Sequence, residues 1–329
     1  MKVFNSNKYI SALGLLLLVG STAHATTLFV NCGGKAGLSS IGAALKTLQS
    51  PLFSGPNTIN VSGACNENIV IKDMDRLTLN AVNNASITDA SDGYADVINV
   101  NNSPGFTLQG FAIFAINANN DGVNCNNGSH CTLIGNTLQG GFGGVGVLPT
   151  ATAFIVGGSL QGNTYGLRAL GEVIAAGVMI RGNSVGVNVR DGGSLLFRVS
   201  DPQYDGVEYT LPAVSQGNQQ QGILATRNAT VRCQGCTVSG NGAEGINLDL
   251  TSSAFVGPYS FNSGAVAGNA ITGNTGSGVL VGDLSSATFQ GSASNISGNG
   301  QPGISCLGQT SVTRRAVATV GVTHTNCTN

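Results

Sequence analysis

The sequence predicts an all-β chain wound as a right-handed parallel β-helix solenoid of about nine or more three-strand coils, closed at its N-terminal end by a capping helix. The first observation behind this is a degenerate repeat: Gly-Asn, a second Gly three or four residues later, then an alternating apolar stretch. It reads GNTYGLRAL from Gly162, GNSVGVNVRDGGSLLF from Gly182, GNQQQGILATRNATVRC from Gly217, GNGAEGINLDLTSSAFV from Gly240, GNTGSGVLVGDLSSATF from Gly273 and GNGQPGISCLGQTSVTRRAV from Gly298. The second is the period: repeats recur mostly every 20 to 26 residues with two-residue alternation inside them, which fits three short strands per turn and not helix pairs. The third is composition. Charged residues are 9% of the chain and Gly is 49 of 329, yet 41% hydrophobic content in regular Val, Ile and Leu supplies a packed core.

In chain order, residues 1–25 read as an export signal, with Lys2 and Lys8 at the charged start, Leu13 to Val19 as the apolar run and Ala23-His24-Ala25 as the cleavage site. Cleavage after Ala25 makes the protein secreted, extracellular or periplasmic. The apolar run is too short to span a bilayer, so no membrane insertion is expected. Residues 26–329 then form a single β-helix domain, since a solenoid grows along one axis without splitting. Within it, 26–95 hold the N-terminal cap and first coils, 96–316 the repeat coils, and 317–329 the C-terminal end, pinned by a cysteine pair. Ser39 to Leu48 has helical spacing behind a Ser N-cap and covers the exposed strand edges of the first coil. Asn57 to Val61, Gly63 to Ile71 and Leu77 to Leu79 follow as short strands. Looser coils begin at Ala95, Asp121 and Gly144.

The Gly-Asn corners are mechanical, because both residues tolerate the left-handed backbone of a sharp corner, and stacked asparagines can hydrogen-bond along the axis. Taking the first apolar residue of each coil as a marker gives Val97, Val123, Val147, Leu167, Val187, Ile223, Ile246, Val279 and Ile304. Two gaps stand out, 36 residues after Val187 and 33 after Ile246, and place insertions near 198–213 and 256–267.

The order of cap helix, NTINVSG, NENIVI and LTLNA followed by β-coils resembles the start of pectin lyase-like right-handed β-helix proteins. The resemblance covers almost the whole mature chain. It implies the fold and a long ladder face of the kind that engages polysaccharide. The catalytic patterns of that superfamily are incomplete here: Asn247-Leu248-Asp249 resembles the Asn-x-Asp of polygalacturonases without the later Gly-His-Gly or Arg-x-Lys, and Asp201-Pro202-Gln203-Tyr204 resembles the Asp-Pro-His-Asp of alginate epimerases with Gln in place of His.

Residues beside each marker face solvent. The first such column reads Asn99, Asn124, Leu148, Arg168, Asn188, Leu224, Asn247, Leu280 and Ser305, and the second Asn101, Asn126, Thr150, Leu170, Arg190, Thr226, Asp249, Gly282 and Leu307. Arg and Asp therefore gather on the middle coils, joined by Asp191, Arg227 and Asp283. The insertions carry Tyr204, Tyr209 and Tyr259, aromatic residues suited to walling a groove for sugar rings. Substrate-binding candidates are Asn188, Asn247, Arg168, Tyr204, Tyr209 and Tyr259. If the protein is an enzyme, Asp249, Asp191, Arg190 and Arg227 are the residues to carry acid, base and charge stabilisation between the insertions. Asp191 and Asp249 fall two coils apart, about 10 Å, against the roughly 5 to 9.5 Å of a glycosidase pair.

Eight cysteines in an exported chain predict disulfides, and spacing suggests Cys32–Cys65, Cys125–Cys131, Cys233–Cys236 and Cys306–Cys327. The Cys233-x-x-Cys236 spacing is also that of a redox pair, without the strand and helix context that tunes one. No cofactor is expected; calcium stays an open alternative, which no grouped Asp set indicates. A net charge of −1 gives no footprint for nucleic acid. Three readings follow: a non-catalytic protein that binds polysaccharide or a cell-envelope glycan through its ladder face, a polysaccharide-processing lyase, hydrolase or epimerase with the Asp/Arg site, or a structural spacer whose insertions do not approach each other.

Overall fold

A computed structural model describes residues 25–34, 37–49, 55–291, 294–308, 311–313, 324–325 and 327. All but the last residue of the expected export signal lie outside the described residues. The chain forms a right-handed parallel β-helix of three long sheets: sheet I with twelve strands, sheet II with ten and sheet III with eleven. Each coil runs from sheet I to II to III and back. Thus Ser194–Arg198 in sheet I, Val214–Gln216 in sheet II and Ile223–Thr226 in sheet III lie between the strands of the coils before and after.

The first coil is closed by a helix over Ile41–Leu48. Its buried residues Ile41, Ala44, Leu45 and Leu48 have the spacing of one helical face and sit on the end of the core. The Ser40 hydroxyl accepts from Ala43 N–H at 3.1 Å. The two free donors at the start of the helix are taken by one distant carboxylate: Glu67 accepts from Ile41 N–H at 2.7 Å and from Gly42 N–H at 2.9 Å. Its charge also favours the positive end of the helix dipole.

The repeat follows from how the coils stack. At the corner between sheets II and III a buried column of asparagines runs along the axis: Asn163 donates to Asn183 at 3.1 Å, Asn183 to Asn218 at 3.1 Å, Asn218 to Asn241 at 2.8 Å, Asn241 to Asn274 at 2.8 Å and Asn274 to Asn299 at 2.9 Å. Each oxygen also accepts a backbone N–H of the preceding coil, as Asn241 Oδ1 does from Asn218 N–H at 3.1 Å. The corner backbone, which belongs to neither flanking strand, is thereby satisfied inside the protein. The first Gly takes the left-handed turn, Gly182 at φ +61°. The second leaves room for the ladder: a Cβ on Gly222 would lie 2.6 Å from Asn241 Nδ2 and 2.5 Å from a Val238 methyl. The Asn ladder expected from the sequence is therefore present.

Inside, the alternating apolar residues stack coil on coil. Leu167, Val187, Ile223, Ile246 and Val279 are in register in sheet III and fully buried. Two of the sequence markers are displaced. Val123 pairs with Ile98 and not Val97, and with Val145 and not Val147. At the latter coil the glycine-rich GGVGV strand lets the apolar pattern be read two residues late. The outward columns are corrected accordingly, Gly146 replacing Leu148 in the first and Leu148 replacing Thr150 in the second.

All four cysteine pairs are disulfides as expected from spacing. Cys125–Cys131 joins sheet III to sheet I through the core, and Cys306–Cys327 holds the C-terminal segment, whose strand His324–Thr325 pairs with Ile304–Cys306. Among the described residues no helix is long and apolar enough to cross a membrane.

Candidate functional site

A groove of about 850 Å³ runs along the edge of sheet II, where it turns toward sheet III. It follows a column in strict register: Phe114, Gln139, Gln161, Arg181, Gln216 and Ser239, one residue from each of six successive coils. Each column residue precedes a corner residue, Ala115 or one of Gly140, Gly162, Gly182, Gly217 and Gly240. The groove is open because five of the six corners lack side chains: a Cβ on Gly162, Gly182, Gly217 or Gly240 would meet nothing within 4 Å.

Its polar side chains are ordered among themselves. Arg181 Nε, which can only donate, is 3.1 Å from Gln161 Oε1, so the Gln161 amide nitrogen must turn toward Gln139, where it donates to Oε1 at 3.2 Å. Gln139 is left with its NH₂ group free to donate, and Arg181 keeps both Nη groups without a partner among the described residues. The groove thus offers amides, a hydroxyl, one guanidinium and, at one end, the ring of Phe114. Among the described residues, no carboxylate, histidine or thiol lines it. Its side chains can hold a hydroxyl-rich ligand but present no proton carrier for acid–base chemistry near neutral pH.

The residues singled out from the sequence fall in three places. Arg168 and Asn188 lie side by side on the outer face of sheet III. Arg168 Nη1 donates to both carboxylate oxygens of Asp121 at 3.0 and 2.9 Å, and its guanidinium stands 4.7 Å over the Phe142 ring, itself edge-on to Tyr165. The Asp121 carboxylate rests where side chains at Gly143 and Gly146 would otherwise be, 2.4 and 2.2 Å from their Cβ positions. Burial, relieved in part by Arg168 and aided by Asp96, pushes the Asp121 carboxyl up to about 6. Asn188 is buried beside this pair, and its Oδ1, like those of Asn124 and Asn126 on the same face, has no hydrogen-bond partner among the described residues. Asn247 continues that column three coils beyond Arg168.

Arg190, Asp191, Arg227 and Asp249 sit at the corner where sheet III turns into sheet I. Asp191 pairs with Arg227 at 3.1 Å and Arg190 at 3.4 Å, all of them at least one-third exposed. Asp249 accepts from Leu250 N–H at 2.9 Å and enters none of the ion pairs among the described residues. A depression of about 560 Å³ borders this corner, with Asp191 and Asp283 as its carboxylates. They are three coils apart, about 14 Å, beyond the reach of a glycosidase pair.

The insertions lie at the opposite edge of sheet I, where it turns into sheet II. The expected single groove, with the Asp/Arg site between the insertions, is therefore not what the topology builds. The two sets are separated by the length of a sheet I strand, about 16 Å. The insertions do meet each other, contrary to the spacer reading. Asp201 caps the short helix Pro202–Asp205 and accepts from Tyr259 OH at 3.1 Å, while Asn262 donates to Tyr204 OH and to Gln203. The first loop is anchored by a buried bidentate pair, Arg198 to Asp205 at 2.7 and 2.6 Å, with Arg198 5.5 Å over the Tyr259 ring. Tyr259 therefore braces a loop. Tyr204 and Tyr209 are more than half exposed and face outward from it.

The glutamine column was open to view in TLQG, SLQG, MIRG and VSQG. A repeat framed from Gly-Asn onward places the preceding residue outside each unit, which hides this column.

A family model described as a right handed beta helix region matches residues 96–318. Among solved structures, the A-module of mannuronan C-5 epimerase AlgE6 from Azotobacter vinelandii is 13% identical with a TM-score of 0.47, covering 88% of this chain and 95% of its own. The corresponding AlgE4 A-module from the same organism is 12% identical with a TM-score of 0.45, covering 89% and 100%. The catalytic domain of a GH87 alpha-1,3-glucanase is 13% identical with a TM-score of 0.35, covering 88% and 68%. These values carry no inference about substrate or chemistry. No curated protein matches the chain.

Proposed function

Since the chain belongs to the right handed beta helix family, whose fold supplies an axis and no chemistry of its own, we propose that it is an exported protein that binds polysaccharide without transforming it. The observation that carries this is the groove of Gln139, Gln161, Arg181 and Gln216. Oriented amides and a guanidinium over a bare glycine edge suit the hydroxyls of a sugar chain, and no side chain in the groove can shuttle a proton. Export is supported by four disulfides, which point to an oxidising compartment, and by the signal-like first 25 residues. Asn188, Asn247 and Arg168 belong in this reading to a second polar face and Tyr204 and Tyr209 to an outer loop, while the groove makes the principal contacts.

The test is a binding and turnover screen of the mature protein on pectin, polygalacturonate, alginate and neutral glycans, beside Gln161→Ala and Asp191→Ala. Binding without new reducing ends, unsaturated product or epimerisation, weakened at least about fivefold in Gln161→Ala and unchanged in Asp191→Ala, is the expected result. Turnover abolished by Asp191→Ala would overturn it.

A further inference from the structure

The groove repeats with the coil, and the repeat constrains its occupant. Its six residues are one per coil and stacked in register. Their five intervals of about 4.8 Å give a track of about 24 Å parallel to the helix axis. The rise of one sugar in an extended, unbranched glycan is comparable to one coil. The bare corners admit a chain lying along the axis.

Charge adds a second constraint. Arg181 is the sole ionic group among the described residues of the lining and sits near the middle of the track. Its Nε is committed to Gln161, which fixes the plane of the guanidinium and leaves the Nη edge without a partner among the described residues. That free fork has the geometry for two N–H···O bonds to two oxygens of one oxyanion. Phe114 at one end presents a partly exposed ring, suited to the apolar face of a terminal sugar.

We infer that the groove takes a linear glycan of about five residues in one-sugar-per-coil register, with an oxyanion substituent, carboxylate or sulfate, seated on Arg181. This rests on the groove being the glycan site.

The test is calorimetry of the mature protein with oligogalacturonates of two to eight residues, their carboxyl-reduced neutral counterparts, and sulfated forms of the latter. Kd should fall with each added residue to about five and change less than about twofold beyond. Arg181→Gln should weaken the charged series about tenfold and the neutral series, which loses only a donor to a hydroxyl, about threefold, and Arg181→Lys should weaken the charged series less than Arg181→Gln does. Preference for the carboxylated or the sulfated series identifies which oxyanion Arg181 holds. Affinity that plateaus at two residues, or still rises at eight, overturns the register. Equal effects of Arg181→Gln on charged and neutral series overturn the oxyanion assignment. Binding of all series that ignores both Arg181 and Gln161 removes the groove reading itself, a different failure from either.

Discussion

At the residue scale, polar side chains only two residues apart serve opposite ends according to whether they turn into the corner or away from it. Asn183, Asn218 and Asn241 are the corner residues that the Gly-Asn repeat predicts: buried, paired along the axis and closed to ligand. Gln161 and Arg181, two residues upstream of such corners, point outward and carry the groove. Asp121 illustrates what pattern cannot show. Nothing in DGVNCN marks its Asp apart from others, because its environment is set by Gly143, Gly146 and Arg168 on later coils. With its folded carboxyl up at about 6 against 3.8, the folded state binds the proton more tightly than the unfolded chain. The contribution is fully present below about pH 4 and is lost as pH rises through about 6. Urea midpoints measured at intervals from pH 4 to 7 should therefore show a downward component in the wild type that Asp121→Asn lacks. An identical pH profile in both proteins would show that Asp121 is not the titrating group.

At the scale of elements, the cap helix and the coil strands were legible because their periods differ, four apolar positions on one helical face against strict alternation in strands. Register was less so. The GGVGV coil has too few side chains to mark which valine faces inward, and hence the displacement of Val147 to Val145. The insertions were visible as gaps, but a gap in a repeat does not say which of three corners it occupies, and that ambiguity merged two separate surfaces into one. The N-terminal cap shows elements joined by covalent and polar ties together: Cys32–Cys65 links the end of the first sheet I strand to the first sheet II strand, and Glu67, two residues on, holds the helix start. A bond across 33 residues is worth about 3–4 kcal/mol in the chain-entropy picture. Replacing both cysteines with serine should lower thermal stability accordingly and raise hydrogen exchange first at the Ile41–Leu48 amides. Unchanged exchange there would show that the helix does not depend on this tie.

At the scale of the whole molecule, parallel stacking in three sheets turns any residue repeated once per coil into a line along the axis. Fold and axis were legible because every coil restates them. Function was legible only in part, since the groove depends on one column among several and on empty space above glycines, which a sequence shows as the absence of a side chain. A lone proton-transfer residue could sit anywhere, but a ladder of amides and a guanidinium with no acid or base in its lining suits recognition of a polymer. The most direct measurement of that claim is photo-crosslinking of the mature protein by a diazirine-tagged oligosaccharide of the glycan it binds, with the attachment points mapped by peptide mass spectrometry. The account predicts crosslinks on the strands bearing Gln139, Gln161, Arg181 and Gln216, competed by untagged glycan. Crosslinks confined to the Asp191–Arg227 corner or to the Tyr204 and Tyr209 loop would contradict it.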